Sequence, residues 1–366
     1  MSSYKAYLNS LQFNYTANDL IKTKELTGIL LVNTGTPSSL NYWDIRRYLK
    51  QFLSDKRIIE LTNWIWYPIL YLFILPFRPF NKAKAYKSIW NWELNESPLL
   101  TLTKRQCEKV STKLELTHGK DKLIVDWAFR FGDSSINDKI KKLIKEGCKK
   151  IVVFPLFPQY AGATIGGIND EVYRTFLCLR VQPELVTIST YYRNPKYIQL
   201  LGDSILEHLL VAKKPIQVLL FTYHGLPLEY CIKGDTYPIQ CNETTAFVTS
   251  YLRHQITKKA SKYHQQLPLI QTTYSSRFGP SEWLKPYTDV VVKELIKTDV
   301  KSLAIIAPSF HSDCLETWEE LRDDLGDLFC SNIDDSSFLY INCLNDKSAA
   351  IDMICDIIKH NLPSNF

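Results

Sequence analysis

The architecture follows from one stretch, PIQVLLFTYHGLPLEYCIKGDTYPIQC at residues 215–241. Its apolar, β-rich opening (215–223) runs into His224, and Gly225 and Pro227 then stop the strand. An imidazole is thus presented at the C-terminal edge of a sheet, where parallel α/β folds place their ligands. A lone histidine at a strand end is more often structural than catalytic. Here the polar, turn-forming residues that follow, Lys233, Gly234, Asp235, Pro238 and Gln240, favour a site.

Seven further runs share the apolar, β-rich character: 26–33, 122–129, 149–156, 184–190, 268–274, 301–308 and 338–342. Most gaps between them hold charge-rich segments of helical length. Strands alternating with helices predict parallel α/β sheets. With four runs in each half, two Rossmann-like domains are expected, each a four-stranded parallel sheet flanked by helices. The halves also echo each other. LLVNTGTP (30–37) is similar to LLFTYHGLP (219–227), which sets Thr34 in register with His224.

Composition bounds the function. The 366 residues are 45% hydrophobic and 22% charged, as for a globular chain of two ordinary domains. A net charge of +6 without a Lys/Arg block gives no reason to expect nucleic acid. The Gly-rich GATIGG (162–167) lacks the spacing of a dinucleotide or phosphate loop. Nine cysteines lie scattered with no C-x-x-C pair, which reads as reduced thiols in a cytoplasmic protein. Residues 1–20 contain no apolar signal core.

Residues 64–77, WIWYPILYLFILPF, are apolar throughout. As a helix they would span roughly 21 Å, short of a hydrocarbon core of ~30 Å. A buried helix and an exposed apolar lip both fit. Arg78, Lys82, Lys84 and Lys87 follow closely, as suits a surface meeting anionic lipid.

A second cluster, PSFHSDCLETWEELRDD, follows the strand at 301–308. Asp313, Glu316, Glu320 and Asp324 step by three, four and four, which predicts one helical face. Glu319, Asp323 and Asp327 form a second stripe, expected to be solvated. Like charges stacked this way destabilise a helix. The first stripe begins at a strand end, where carboxylates could pass a hydrated dication or carry protons.

Taken together, His224-Gly225-Leu226-Pro227, Gly234-Asp235-Thr236-Tyr237-Pro238 and Gln240 closely resemble the signature of ferrochelatases, which insert Fe(II) into a porphyrin. Phe310, Asp313, Glu316 and Thr317 match that family's Phe-x-x-Asp-x-x-Glu-Thr pattern, and the likeness runs from Gly28 to about Asn345. The resemblance implies a chelatase-like fold: residues 26–196 with 344–366 as one domain, and 197–343 as the other. It implies that His224 and Glu316 are catalytic and face each other across the porphyrin. It implies metal contacts at His224, Glu316, Glu320 and Asp324, and substrate contacts at Thr34, Ser97, Arg130, Phe131, Trp283 and Phe310. Proton acceptance and metal ligation both remain open for His224. Thr34, where coproporphyrin-using members tend to carry Tyr, favours protoporphyrin IX as substrate beside Fe(II). Glu96 stands where Gly is usual, and Phe131 where Tyr is usual. No organic cofactor is expected, and no iron–sulfur cluster, since no C-terminal cysteine cluster occurs. The family's membrane-soluble substrate favours the lip reading of 64–77, hence peripheral contact at the inner face of a membrane. His311 has no counterpart in the pattern and is expected at the surface, with a metal-path ligand as the alternative. A non-catalytic haem-binding module, and a chelatase for another metal or tetrapyrrole, are the competing functions.

Overall fold

The computed structural model describes residues 26–119, 121–258 and 267–362; the expectations for residues 1–20 and for 363–366 lie outside them. The eight apolar runs are the eight strands: β1 (Leu26–Gly35), β2 (Leu123–Phe131), β3 (Cys148–Pro155), β4 (Glu184–Thr187), β5 (Val218–His224), β6 (Leu269–Ser275), β7 (Ser302–Ile306) and β8 (Ser337–Ile341). They form two sheets, ordered β2-β1-β3-β4 and β6-β5-β7-β8, with every neighbouring pair parallel. The order is the same in both halves. The short echo between LLVNTGTP and LLFTYHGLP therefore marks equivalent strands, β1 and β5.

The inner strands are buried on both faces, which is why they read as continuous rather than alternating apolar runs. Leu30, Leu31, Val32, Leu219, Leu220 and Phe221 are all fully buried. One core cluster continues from the first sheet, through Ile29 and Phe154, into the second, through Phe221 and Ile306. The two sheets therefore share a core. The helix Ser348–Lys359 packs its apolar face, Ile351, Ile354, Cys355 and Ile358, into that cluster. Ion pairs Lys113–Asp352 and Lys196–Asp356 join it to the helices Pro98–His118 and Pro195–Val211, and Lys109–Asp346 (2.5 Å) ties the turn before it to the first of these.

The 64–77 segment forms a helix Asn63–Ile69 that continues as a π-helical turn, Leu70–Ile74. Trp66, Leu70 and Leu75 face inward, while Trp64 (78% exposed), Leu72 and Phe73 (67%) face solvent. The two readings left open by the sequence are thus both partly right: one side is core, the other an exposed lip. Among the described residues no helix is long and apolar enough to cross a membrane.

Candidate active site

β5 ends at His224, half-buried, where the ladder with β6 stops at Ser275. Gly225 then turns the chain, donating its N–H to Ser275 O at 2.7 Å. A Cβ at Gly225 would lie 2.7 Å from that same oxygen and 3.1 Å from the Trp283 ring, so the turn admits only glycine. His224 Nδ1 sits 2.7 Å from Gly225 O. A carbonyl only accepts, so Nδ1 carries the hydrogen and Nε2 keeps its lone pair. The imidazole is thereby set up as a base or a metal ligand.

Facing it is the loop after β7. Phe310 meets His224 edge to face, with ring centroids 6.3 Å apart. Asp313 is fully buried and accepts from Asn345 Nδ2 (2.6 Å), Tyr340 OH (2.9 Å) and Thr317 Oγ1 (3.1 Å). These bonds use its oxygens to pin the loop. Asp313 therefore leaves the predicted acidic stripe, and its role is to fix where Glu316 begins. From there the chain runs as a π-helix, Glu316–Asp324, not the α-helix the spacing predicted. Its wider turn keeps residues four apart, Glu316, Glu320 and Asp324, near one side.

The carboxylates beyond Glu316 release their protons less readily than free carboxylates. Burial, then the charge of Glu316, raises the pKa of Glu320 from its ordinary value. Burial, then Asp323 and Asp327, does the same for Asp324. Glu320 is steadied by the Ser276 hydroxyl and by Lys82 at 3.9 Å. The acidic groups form a line, not a cage: among the described residues no three His, Cys, Asp or Glu side chains gather as a metal site.

An open cleft of about 1110 Å³, its mouth included, lies between the C-terminal edges of the two sheets. His224, Glu316, Thr34, Ser97 and Phe310 all line it. Arg130, Phe131, Trp283, Glu320 and Asp324 do not. Arg130 is turned to Asp55 (2.5 Å) and Glu171 (3.6 Å). Phe131 is buried edge-on to Phe52, which does line the cleft. Trp283 stands behind Gly225, its Nε1 donating to Phe278 O at 2.9 Å. Glu320 and Asp324 continue outward from Glu316. Glu96, in place of the usual Gly, is buried against Thr101 Oγ1 (2.9 Å) and Lys104.

Several lining residues carried no signal in the sequence. Tyr48 and Tyr86 lie on separate helices and meet only in the fold. Burial, with Glu316 nearby, pushes both phenols well above their usual range, so they are hydrogen-bond donors at neutral pH. His311 overturns the surface reading. It is 1% exposed, lines the cleft, and hydrogen-bonds through Nδ1 to Tyr191 OH at 3.0 Å. Burial lowers its pKa to about 4, which keeps the ring neutral.

Two like sheets enclosing a cleft, with a lone-pair imidazole on one edge and a carboxylate leading into an acidic line on the other, define the class of metal chelatases. The fold is shared with a solved structure: SirB from Bacillus subtilis with Fe3+ matches with a TM-score of 0.52 at 9% identity, covering 93% of this chain and 97% of that one. The ferrochelatase family model matches residues 26–362. Ferrochelatases of Allorhizobium ampelinum (42% identical, covering 92% of this chain and 93% of the relative) and Brucella ovis (41%; 92% and 91%) align over 335 residues. The chain belongs to the ferrochelatase family, metal-inserting lyases of haem biosynthesis.

Proposed function

We propose that this chain inserts Fe(II) into protoporphyrin IX, releasing two protons and forming protohaem, with His224 and Glu316 as its catalytic pair. The observation that carries this reading is His224, its Nδ1 engaged by Gly225 O, in the same cleft as Glu316. A free-base porphyrin must lose two N–H protons and bend to offer a nitrogen lone pair. His224 Nε2 accepts one proton, and the imidazolium keeps its Nδ1–H on Gly225 O. Glu316 takes or relays the other toward Glu320 and Asp324, whose raised pKa values suit proton storage. The same carboxylates suit a hydrated hard dication moving inward, with His224 and Glu316 the last contacts. Bending is sustained by binding energy from the rest of the macrocycle, against Phe310, Thr34 and Ser97. Phe131 supports the cleft from behind Phe52, and Trp283 from behind Gly225, while Arg130 stacks on the Phe131 ring.

The step uses no organic cofactor and no iron–sulfur cluster. Residues 26–196 with 344–366, and 197–343, serve as the two domains that flank the substrate cleft. The exposed lip at 64–77 rests on the inner face of a membrane, from which an apolar porphyrin would enter; nucleic acid has no part. The test is anaerobic: full-length protein with protoporphyrin IX and Fe(II), following loss of free-base porphyrin fluorescence and growth of the haem spectrum. Turnover over the protein-free rate is expected. Porphyrin binding without insertion would turn the reading toward a haem- or porphyrin-binding module.

A further inference from the structure

The cleft holds a second histidine whose chemistry is the opposite of the first. His311 Nε2 is buried in the cleft wall with no hydrogen-bond partner among the described residues. Its other nitrogen lies 3.0 Å from Tyr191 OH. Tyr191 is itself buried and stacked edge-on to Tyr197. A neutral imidazole has one hydrogen to place. Were it on Nδ1, the Tyr191 hydroxyl hydrogen would have no acceptor among the described residues, and Nε2 would be a bare lone pair. With Tyr191 donating to Nδ1, only one group is left over, an Nε2–H at the cleft. Buried polar groups are rarely left unmet, so that N–H calls for an acceptor. An acceptor, Gln159 Oε1, is likewise unpaired and buried on the same cleft, while Gln159 Nε2 is committed to Thr244 at 3.0 Å.

We propose that His311 is a positioning residue: Tyr191 locks its ring as the Nε2–H tautomer, and that N–H holds an acceptor oxygen, from a buried water or a tetrapyrrole carboxylate, against the inner wall. The cleft then contains one imidazole that offers a lone pair, His224, and one that offers a hydrogen. His311 is thereby kept from ligating the metal, although it lies beside Phe310 in the wall. The carboxylate source rests on the tetrapyrrole reading above; the tautomer does not.

The test begins on the full-length protein without substrate, by ¹⁵N-histidine NMR, with His311→Asn assigning the signal. Wild type is expected to show a protonated Nε2 and a bare Nδ1 at His311. Tyr191→Phe, which keeps the ring packing, is expected to shift the population toward the other tautomer. A protonated Nδ1 in wild type, or no change in Tyr191→Phe, would overturn the lock whatever the protein's activity. Porphyrin binding tests the grip. His311→Leu is expected to weaken it about tenfold, the order of one lost buried hydrogen bond, and His311→Asn to restore most of it. A loss for protoporphyrin that is absent for a porphyrin with ethyl groups in place of the propionates assigns the oxygen to a substrate carboxylate; an equal loss for both assigns it to water. Unchanged binding of both porphyrins by His311→Leu would overturn the grip. Co(II) affinity is expected to be the same in wild type and His311→Leu, and a clear drop in the variant would make His311 a ligand instead.

Discussion

At the residue scale, the proposed catalytic pair could be picked out because each member sits where a local signal ends. His224 closes an apolar run before a Gly turn, and Glu316 opens an acidic segment just past β7. His311 was not legible. Its burial depends on Tyr191, 120 positions away in the chain, and neither residue carries a motif. Asp313 was misassigned for a similar reason: spacing groups it with Glu316, but Tyr340 and Asn345 claim its oxygens. Glu320 supports a prediction about stability. Its pKa is raised on folding, by burial first. Above its ordinary range the unfolded chain has released the proton while the folded chain must ionise against that burial. Stability therefore falls as pH rises through the window between the two pKa values. In metal-free buffer, Glu320→Gln is expected to melt higher than wild type at pH 7, and the gap should close on acidification below the ordinary glutamate pKa. Thermal unfolding across that range checks it.

At the scale of elements, all eight strands were readable, since buried parallel strands announce themselves as apolar runs. The π-helix Glu316–Asp324 was not, because residue spacing alone does not distinguish a π turn from an α turn. The lip was half-readable. An unbroken apolar run hides which side faces out, and the fold alone turns Trp66 inward and Trp64 and Phe73 outward. Each outward ring entering an apolar phase contributes about 1.5–3 kcal/mol. Trp64→Ser with Phe73→Ser is therefore expected to weaken binding to anionic vesicles at least tenfold, while leaving melting within about 0.5 kcal/mol of wild type. Vesicle sedimentation beside calorimetry checks both arms. Equal sedimentation of variant and wild type would remove the lip from membrane contact.

At the scale of the whole molecule, the site exists only because two sheets of the same strand order present their C-terminal edges to one cleft. Loops from the two sides are clasped together there. Asp235 accepts from Gly162 N (2.7 Å), Gln240 from Tyr160 N (2.8 Å), and Lys233 meets Glu60 (2.7 Å). The Gly-Asp-x-Tyr-Pro segment and its Gln, which belong to the family signature, thereby tie the second half to the first beside the cleft. Asp235→Ala removes bonds to Gly162 N and Tyr237 N. It is expected to cost about 1–3 kcal/mol in denaturant unfolding and to weaken porphyrin binding more than it slows bound-state insertion. Equilibrium unfolding and single-turnover kinetics separate the two effects.

Above all, His224 is held to act on bound porphyrin through its free Nε2. The measurement that bears on this most directly compares protoporphyrin binding with anaerobic single-turnover Fe(II) insertion in wild type and His224→Ala. Binding by the variant is predicted to stay within about threefold of wild type, with insertion slowed by roughly 10²–10⁴, the span of a lost general base. Insertion at the wild-type rate by the variant would contradict that role.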